Sequence, residues 1–185
     1  MTPTENRRDF PDVERSWYLE RAVRRPKYFE GRLLTAADFE QEQQYHRDMR
    51  SLHNRALGFG IVEGLDVQAS GDVITVSPGF AIDPLGREVV VGGAVQLDAD
   101  ETTLTAVRTL ALTVTWAQVP ADPVPSDDPS AGPVAYASWL EEPVIALEPP
   151  QSVTPPSLVL ALVRRRRKKG VLIDLAGRDA FRLRW

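Results

Sequence analysis

Gly60-Ile-Val-Glu-Gly-Leu-Asp-Val67, Val73-Ile-Thr-Val76, Phe80-Ala-Ile82 and Arg87-Glu-Val-Val-Val91 make up the stretch that decides the fold. The short apolar runs are separated by Ser70-Gly71-Asp72, Ser77-Pro78-Gly79 and Asp83-Pro-Leu-Gly86, and Gly92-Gly93 follows the last of them. Each separator is turn chemistry. Proline presets φ, glycine reaches positive φ, and Ser or Asp side chains bond back to nearby backbone. Asp83-Pro-Leu-Gly86 carries Pro at its second position and Gly at its fourth, as a type I turn favours. Strands at about 8–12-residue spacing with such punctuation predict a small antiparallel sandwich or barrel.

The same mode continues towards the C-terminus. Leu110–Val119, Val159–Val163 and Val171–Leu175 read as further strands. Between them, Pro120–Pro156 holds 10 prolines in 37 residues. Proline donates nothing to a ladder, so this acidic insert is expected to be loop or edge material. Within it, Val134–Leu140 is expected to pair as an edge strand, because Tyr136 and Trp139 favour one.

Towards the N-terminus the period changes. From Thr35 to Leu57 there is no Gly or Pro, and Gly58 stands where a helix stop is expected. Thr35-Ala-Ala-Asp38 resembles a capping box, with Asp in place of the longer Glu. The apolar positions Phe39, Tyr45, Met49, Leu52 and Ala56 form a narrow seam, with spacings of 4, 3 and 4 from Tyr45 onwards. Such a helix lies on a small surface or pairs with copies of itself. Residues 1–34 show no sustained period. They read as an arm, with a short turn of helix near Val13–Val23, whose Trp17, Tyr18, Tyr28 and Phe29 need a surface to dock on. The expected fold class is therefore α+β, mainly β. An arm (1–34) and one long helix (35–57) precede a small antiparallel β-sandwich or barrel (58–185) that carries the Pro-rich insert 120–156.

Composition limits the chemistry. The chain has 185 residues, no cysteine and two histidines, His46 and His53. Disulfide scaffolds, thiolate metal sites and cysteine nucleophiles are excluded. Glu42, His46 and His53 share one polar helix face, yet the histidines stand two turns apart, about 10 Å, too far to share an ion directly. The expectation is an exposed polar face and no metal or other cofactor. No serine-nucleophile motif is present. The carboxylate pairs Asp127-Asp128 and Glu141-Glu142 are neighbours in an acidic segment, where adjacent side chains point apart. Gly58-Phe-Gly60 ends a helix where a phosphate-binding loop begins one. There is no apolar run long enough to cross a membrane and no apolar core of a secretory signal near Met1. The expectation is synthesis in the cytosol, with retention there or release by a route other than the general secretory one.

The net charge of −4 hides a division. Residues 1–55 carry +1, residues 56–163 carry −12 and residues 164–185 carry +7. No Lys or Arg occurs from Thr109 to Val163, and then Arg164-Arg165-Arg166-Arg167-Lys168-Lys169 arrive together. A solvated hairpin tip is one reading of that run, and contact with an acidic protein face is another. Nucleic acid is a third, disfavoured because no nucleic-acid-binding motif accompanies it.

An ordered series of short motifs carries a family resemblance. Lys27-Tyr-Phe-Glu-Gly-Arg-Leu-Leu-Thr-Ala-Ala-Asp-Phe39, Glu42-Gln-Gln-Tyr-His46, Leu52-His-Asn-Arg55, Gly60–Val67, Val76-Ser-Pro-Gly-Phe-Ala-Ile-Asp83 and Gly86-Arg-Glu-Val89 resemble small proteins encoded with phage-tail-like contractile injection systems. The match covers roughly residues 26–91, with a looser one at Trp139–Pro143 and Leu158–Val163. Leu57-Gly-Phe-Gly60 departs from it, standing where a His-Gly-Trp-Gly type stretch is expected. The resemblance implies a particle component, baseplate-associated or a fibre or cap adaptor, with no enzymatic role and no catalytic residues to carry over. Its partners would be other particle subunits and copies of itself, with no membrane. The expected contacts are the arm aromatics Trp17, Tyr18, Tyr28 and Phe29, the seam residues Phe39, Tyr45, Met49 and Leu52, and the basic residues Arg164, Arg165, Arg166 and Arg167. Two other readings stay open: a glycan- or receptor-binding module anchored by Trp116 and Trp139, and a hydrolase needing a pocket of clustered carboxylates.

Overall fold

Thr35 and Asp38 start the helix, though not by the full reciprocal box. The Asp38 carboxylate accepts the Thr35 backbone N–H at 3.0 Å, and the Thr35 hydroxyl donates to the same oxygen at 2.9 Å. The Asp38 N–H goes to the Thr35 carbonyl at 3.1 Å. The shorter Asp side chain draws the hydroxyl to itself. Helix α1 then runs over Ala36–Leu57, one residue inside the expected limits at its start and matching them at its end. The structure, a computed structural model, describes residues 23–99, 109–126, 134–166 and 170–183. The chain divides into two compact units, Met1–Arg50 and Ser51–Trp185, so α1 begins in the first and ends in the second.

The second unit is mainly β, and among the described residues every sheet is antiparallel and open, with none closed into a barrel. The strands are β1 (Gly58–Gly64), β2 (Val67–Ser70), β3 (Val73–Val76), β4 (Gly79–Ile82), β5 (Glu88–Val91), β6 (Val95–Asp98), β7 (Thr109–Thr115), β8 (Gln118–Pro125), β9 (Val134–Glu141), β10 (Val144–Glu148), β11 (Leu158–Arg166), β12 (Gly170–Asp174) and β13 (Arg182–Leu183). They form sheets of order β13-β1-β4-β5, β10-β7-β11-β12 and β2-β3-β6, with β8-β9 as a separate two-stranded ribbon.

The core lies along β3, β5, β7 and β11. Ile74, Val76, Val89, Leu112, Val114, Leu158, Leu160 and Val163 are fully buried. Burying one such side chain stabilises the fold by about 1.5–3 kcal/mol. In β7 all five residues from Leu110 to Val114 are buried, so both of its faces are covered. The one polar member, Thr113, donates to Glu148 at 2.7 Å, which keeps its hydroxyl satisfied.

Two seams join the sheets. Val171 in β12 donates its N–H to the Gly71 carbonyl at 3.0 Å, and a Cβ on Gly170, where φ is +75°, would overlap that same oxygen. Residues 178–183 return to β1. Arg178 donates to the Gly64 and Leu65 carbonyls at 2.7 and 2.9 Å, and Ile61 exchanges bonds with Asp179 and Phe181. Asp179 also ties to Val159 in β11 through both its N–H and its carboxylate.

One expectation needs correction. Leu110–Val119 is two strands, because the chain breaks at Trp116-Ala117 before β8 begins. Among the described residues the Pro-rich insert is loop and edge material, as expected: β8 and β9 pair with each other, β10 lies at the edge of its sheet, and a 3₁₀ turn follows at Pro150–Ser152. Proline is tolerated in β8 because a two-stranded ribbon bonds each strand on one side only. The expected edge strand in the insert is β9, paired with β8 from Gln118↔Glu141 to Pro125↔Val134.

Candidate docking surfaces

In the first unit the arm is fastened to the start of α1. The Tyr28 hydroxyl donates to Glu42, and Arg32 bridges the Lys27 carbonyl, at 2.6 Å, and the Asp38 carboxylate. The hydrogen bonds from Thr35, backbone first and then hydroxyl, hold the Asp38 carboxyl below its usual range, and Arg32 acts in the same direction. The bond to Glu42 pushes the Tyr28 phenol up. Arm and helix line an open cleft of about 530 Å³ formed by Arg25, Pro26, Lys27, Tyr28, Glu42, Tyr45 and His46. Its single carboxylate is the one that accepts the Tyr28 hydroxyl.

The last turns of α1 belong to the second unit and sit on the turn between β4 and β5. Asn54, the buried residue of the helix, donates to the Gly86 carbonyl at 3.0 Å. Gly86 has φ +82°, and a Cβ there would overlap the Ser51 carbonyl, so only glycine permits this approach. The turn itself is the one expected from Asp83-Pro-Leu-Gly86, closed by Gly86 N–H to the Asp83 carbonyl at 2.9 Å. Asp83 is only 1% exposed. Its carboxylate accepts the Leu85 and Arg87 N–H groups at 2.9 and 2.8 Å and pairs with Arg87 Nε at 2.7 Å. Burial pushes the Asp83 carboxyl above its usual range, against the opposing pull of Arg87. The Arg87 guanidinium in turn lies 4.6 Å above the Trp116 ring, a cation–π contact.

The expected contact residues fall into distinct settings. Tyr28, Phe29 and Phe39 are exposed, whereas Tyr45, Met49 and Leu52 are half-buried. Ala56 is exposed, and the helix buries Asn54 in its place. Arg164 pairs with Asp174 across β11 and β12 at 3.2 Å, so one charge of the basic run is met inside its own hairpin. Trp17, Tyr18 and Arg167 lie outside the described residues, as do the side chains of Arg165 and Arg166. His46 and His53 are exposed, and among the described residues no group of His, Asp and Glu is arranged to hold a metal ion. Glu141 and Glu142 are exposed at the end of β9. Among the described residues no helix is long and apolar enough to cross a membrane.

Sequence reasoning missed three features: Asn54, the Asp83–Arg87–Trp116 stack, and Arg178. The first is polar at a position flanking the apolar seam, and only its partner carbonyl explains its burial. Trp116 falls inside the expected strand Leu110–Val119, where it reads as an exposed anchor, but its partner Arg87 is 29 positions away in the chain. Arg178 read as part of the basic tail.

No protein-family model and no curated protein matches the sequence. The fold does match solved structures. One chain in the cryo-electron microscopy structure of the type VI secretion system TssK-TssF-TssG baseplate subcomplex aligns over 83% of this chain, at 11% identity and a TM-score of 0.52. Another, in the baseplate complex from the type VI secretion system, aligns over 83% at 10% identity and a TM-score of 0.56. The aligned part spans 60% of the first of those chains and 41% of the second. At such identity the likeness is one of fold.

Proposed function

We propose that the chain is a non-enzymatic structural subunit of a phage-tail-like contractile injection particle, placed at the baseplate. The observation that supports this most is the fold shared with baseplate chains over 83% of the sequence. The ordered motif series between residues 26 and 91 points the same way from independent information. On this reading the partners are other baseplate subunits and further copies of the chain. The contacts are the exposed arm aromatics Tyr28 and Phe29 with Trp17 and Tyr18, the helix seam through Phe39, Tyr45, Met49 and Leu52, and the charge-divided surface that includes the run beginning at Arg164. Ordering an arm costs about 1–2 kcal/mol per residue, which buried aromatic surface has to offset. Opposed charge sets orientation and encounter rate.

The test is co-purification with assembled particles. The full chain is expected in particles at fixed stoichiometry. Deleting residues 1–25 is expected to leave cooperative unfolding of the β unit intact and to abolish incorporation. Normal incorporation of the truncated chain would remove the arm from the account, and absence of the full chain from particles would remove the whole reading.

A glycan-binding module is the second reading, and Trp139, 61% exposed, favours it. Its other expected anchor, Trp116, packs on the core and under Arg87, so one of the two expected anchors is exposed.

A further inference from the structure

The β8–β9 ribbon is built unlike the rest of the second unit. An isolated two-stranded ribbon is marginal in water, and among the described residues these strands bond only to each other. The ribbon nonetheless exposes Val119, Val124, Val134, Tyr136, Trp139 and Leu140. Its edges are unequal. Pro120, Pro123 and Pro125 strip donors from β8, whereas β9 contains no proline and keeps every amide. Only β9 therefore offers a regular edge to a further strand. The surroundings are acidic, with Asp122, Glu141 and Glu142 exposed and no Lys or Arg from residue 109 to 163. A segment that fits this edge is extended, apolar in part, and basic.

The chain itself contains such a segment. Val23-Arg-Arg-Pro-Lys-Tyr-Phe29 lies outside helix and strand, exposes Val23, Tyr28 and Phe29, and carries three cations and no carboxylate. Seven extended residues span about 23 Å and the eight of β9 about 26 Å, so the lengths agree. The run at Arg164 is the rival source of basic charge; its first residue is already paired with Asp174, and Val23–Phe29 is the basic segment that also exposes aromatic side chains.

We propose that the β9 edge of one copy receives the segment Val23–Phe29 of a second copy. The inference rests on the assembly reading above and gives it a specific self-contact. The contact is heterologous: each copy offers an arm to one neighbour and an edge to another, which generates a row or a ring. A single added strand buries less than a standard interface, so the affinity is weak and is raised when a particle holds copies together.

The experiment is sedimentation velocity on the purified full chain over a concentration series, with two charge swaps, R24E/R25E and E141K/E142K. These positions lie on the surface, and unchanged thermal unfolding of each variant checks the fold. The wild-type chain is expected to associate reversibly, with affinity falling about tenfold or more between about 0.05 and about 0.5 M salt. Each swapped variant alone is expected to stay monomeric, because its arm and edge then carry like charge. Mixing the two variants is expected to restore association, since the acidic arm of one meets the basic edge of the other. A wild-type chain monomeric at every concentration overturns the proposal, as does association that neither swap weakens. A chain that stays monomeric yet enters particles removes this contact and leaves the baseplate reading standing.

Discussion

Strands β7 and β8 are consecutive, separated only by Trp116-Ala117, yet they belong to opposite kinds of structure. In β7 five successive residues are buried between β10 and β11. In β8 and β9 no residue is buried. β7 is rich in strand-forming residues and β8 carries three prolines, yet both are paired along a ladder. What separates them is what covers their faces. The pair β7–β11 is where the unit holds itself together, and the pair β8–β9 is where it has surface to offer. Strand formation is therefore a poor guide to which strands stabilise the molecule.

The comparison can be broken by measurement. The largest expected effect is in the core pair: Leu160→Ala should cost about 3 kcal/mol in urea unfolding, because the cavity it leaves is enclosed on all sides. Next comes the turn beside it. Asp83→Ala leaves two backbone N–H groups and the Arg87 guanidinium without their acceptor, for an expected loss of about 2 kcal/mol in the same assay. In the ribbon, Trp139→Ser should change stability by less than about 0.5 kcal/mol while weakening self-association. A loss as large as that of Leu160→Ala would show that the ribbon is core after all. The smallest effect is at the helix start. Asp38 has a lowered carboxyl pKa, so its support for the first turn is complete above the ordinary value of 3.8 and is lost as pH falls through the lowered one. Amide exchange at the N-terminus of α1 should quicken only in acid, and Asp38→Asn should flatten that dependence.

Much of the fold was legible because its signals are local. Thr35 and Gly58 bracket the helix, and the turns at Ser70-Gly71-Asp72 and Asp83–Gly86 separate strands that pair with near neighbours. The split of Leu110–Val119 was not legible, since nothing in Trp116-Ala117 forbids a strand; the break follows from Trp116 turning onto the core beside Arg87. The docking surfaces were legible only in part. The aromatics of the arm and the charge division are visible in the sequence. The burial of Asn54 is set by Gly86, 32 residues away, and the unequal edges of the ribbon depend on which strands pair. Long-range partners of this kind leave no periodic trace.

The return of residues 178–183 to β1 has a consequence for how the protein is made. Gly58 and Phe59 pair with Leu183 and Arg182, and Arg178 caps the carbonyls of Gly64 and Leu65. The earliest strand of the β unit thus waits for residues more than a hundred positions later to leave the ribosome. Until then, among the described residues, β4 is its one strand partner in that sheet. Non-local pairing of this kind folds slowly and exposes apolar edges meanwhile. A translation product that stops short of residue 178 would carry the buried residues of the core with an unclosed first sheet, and an unpaired strand edge of that kind favours aggregation.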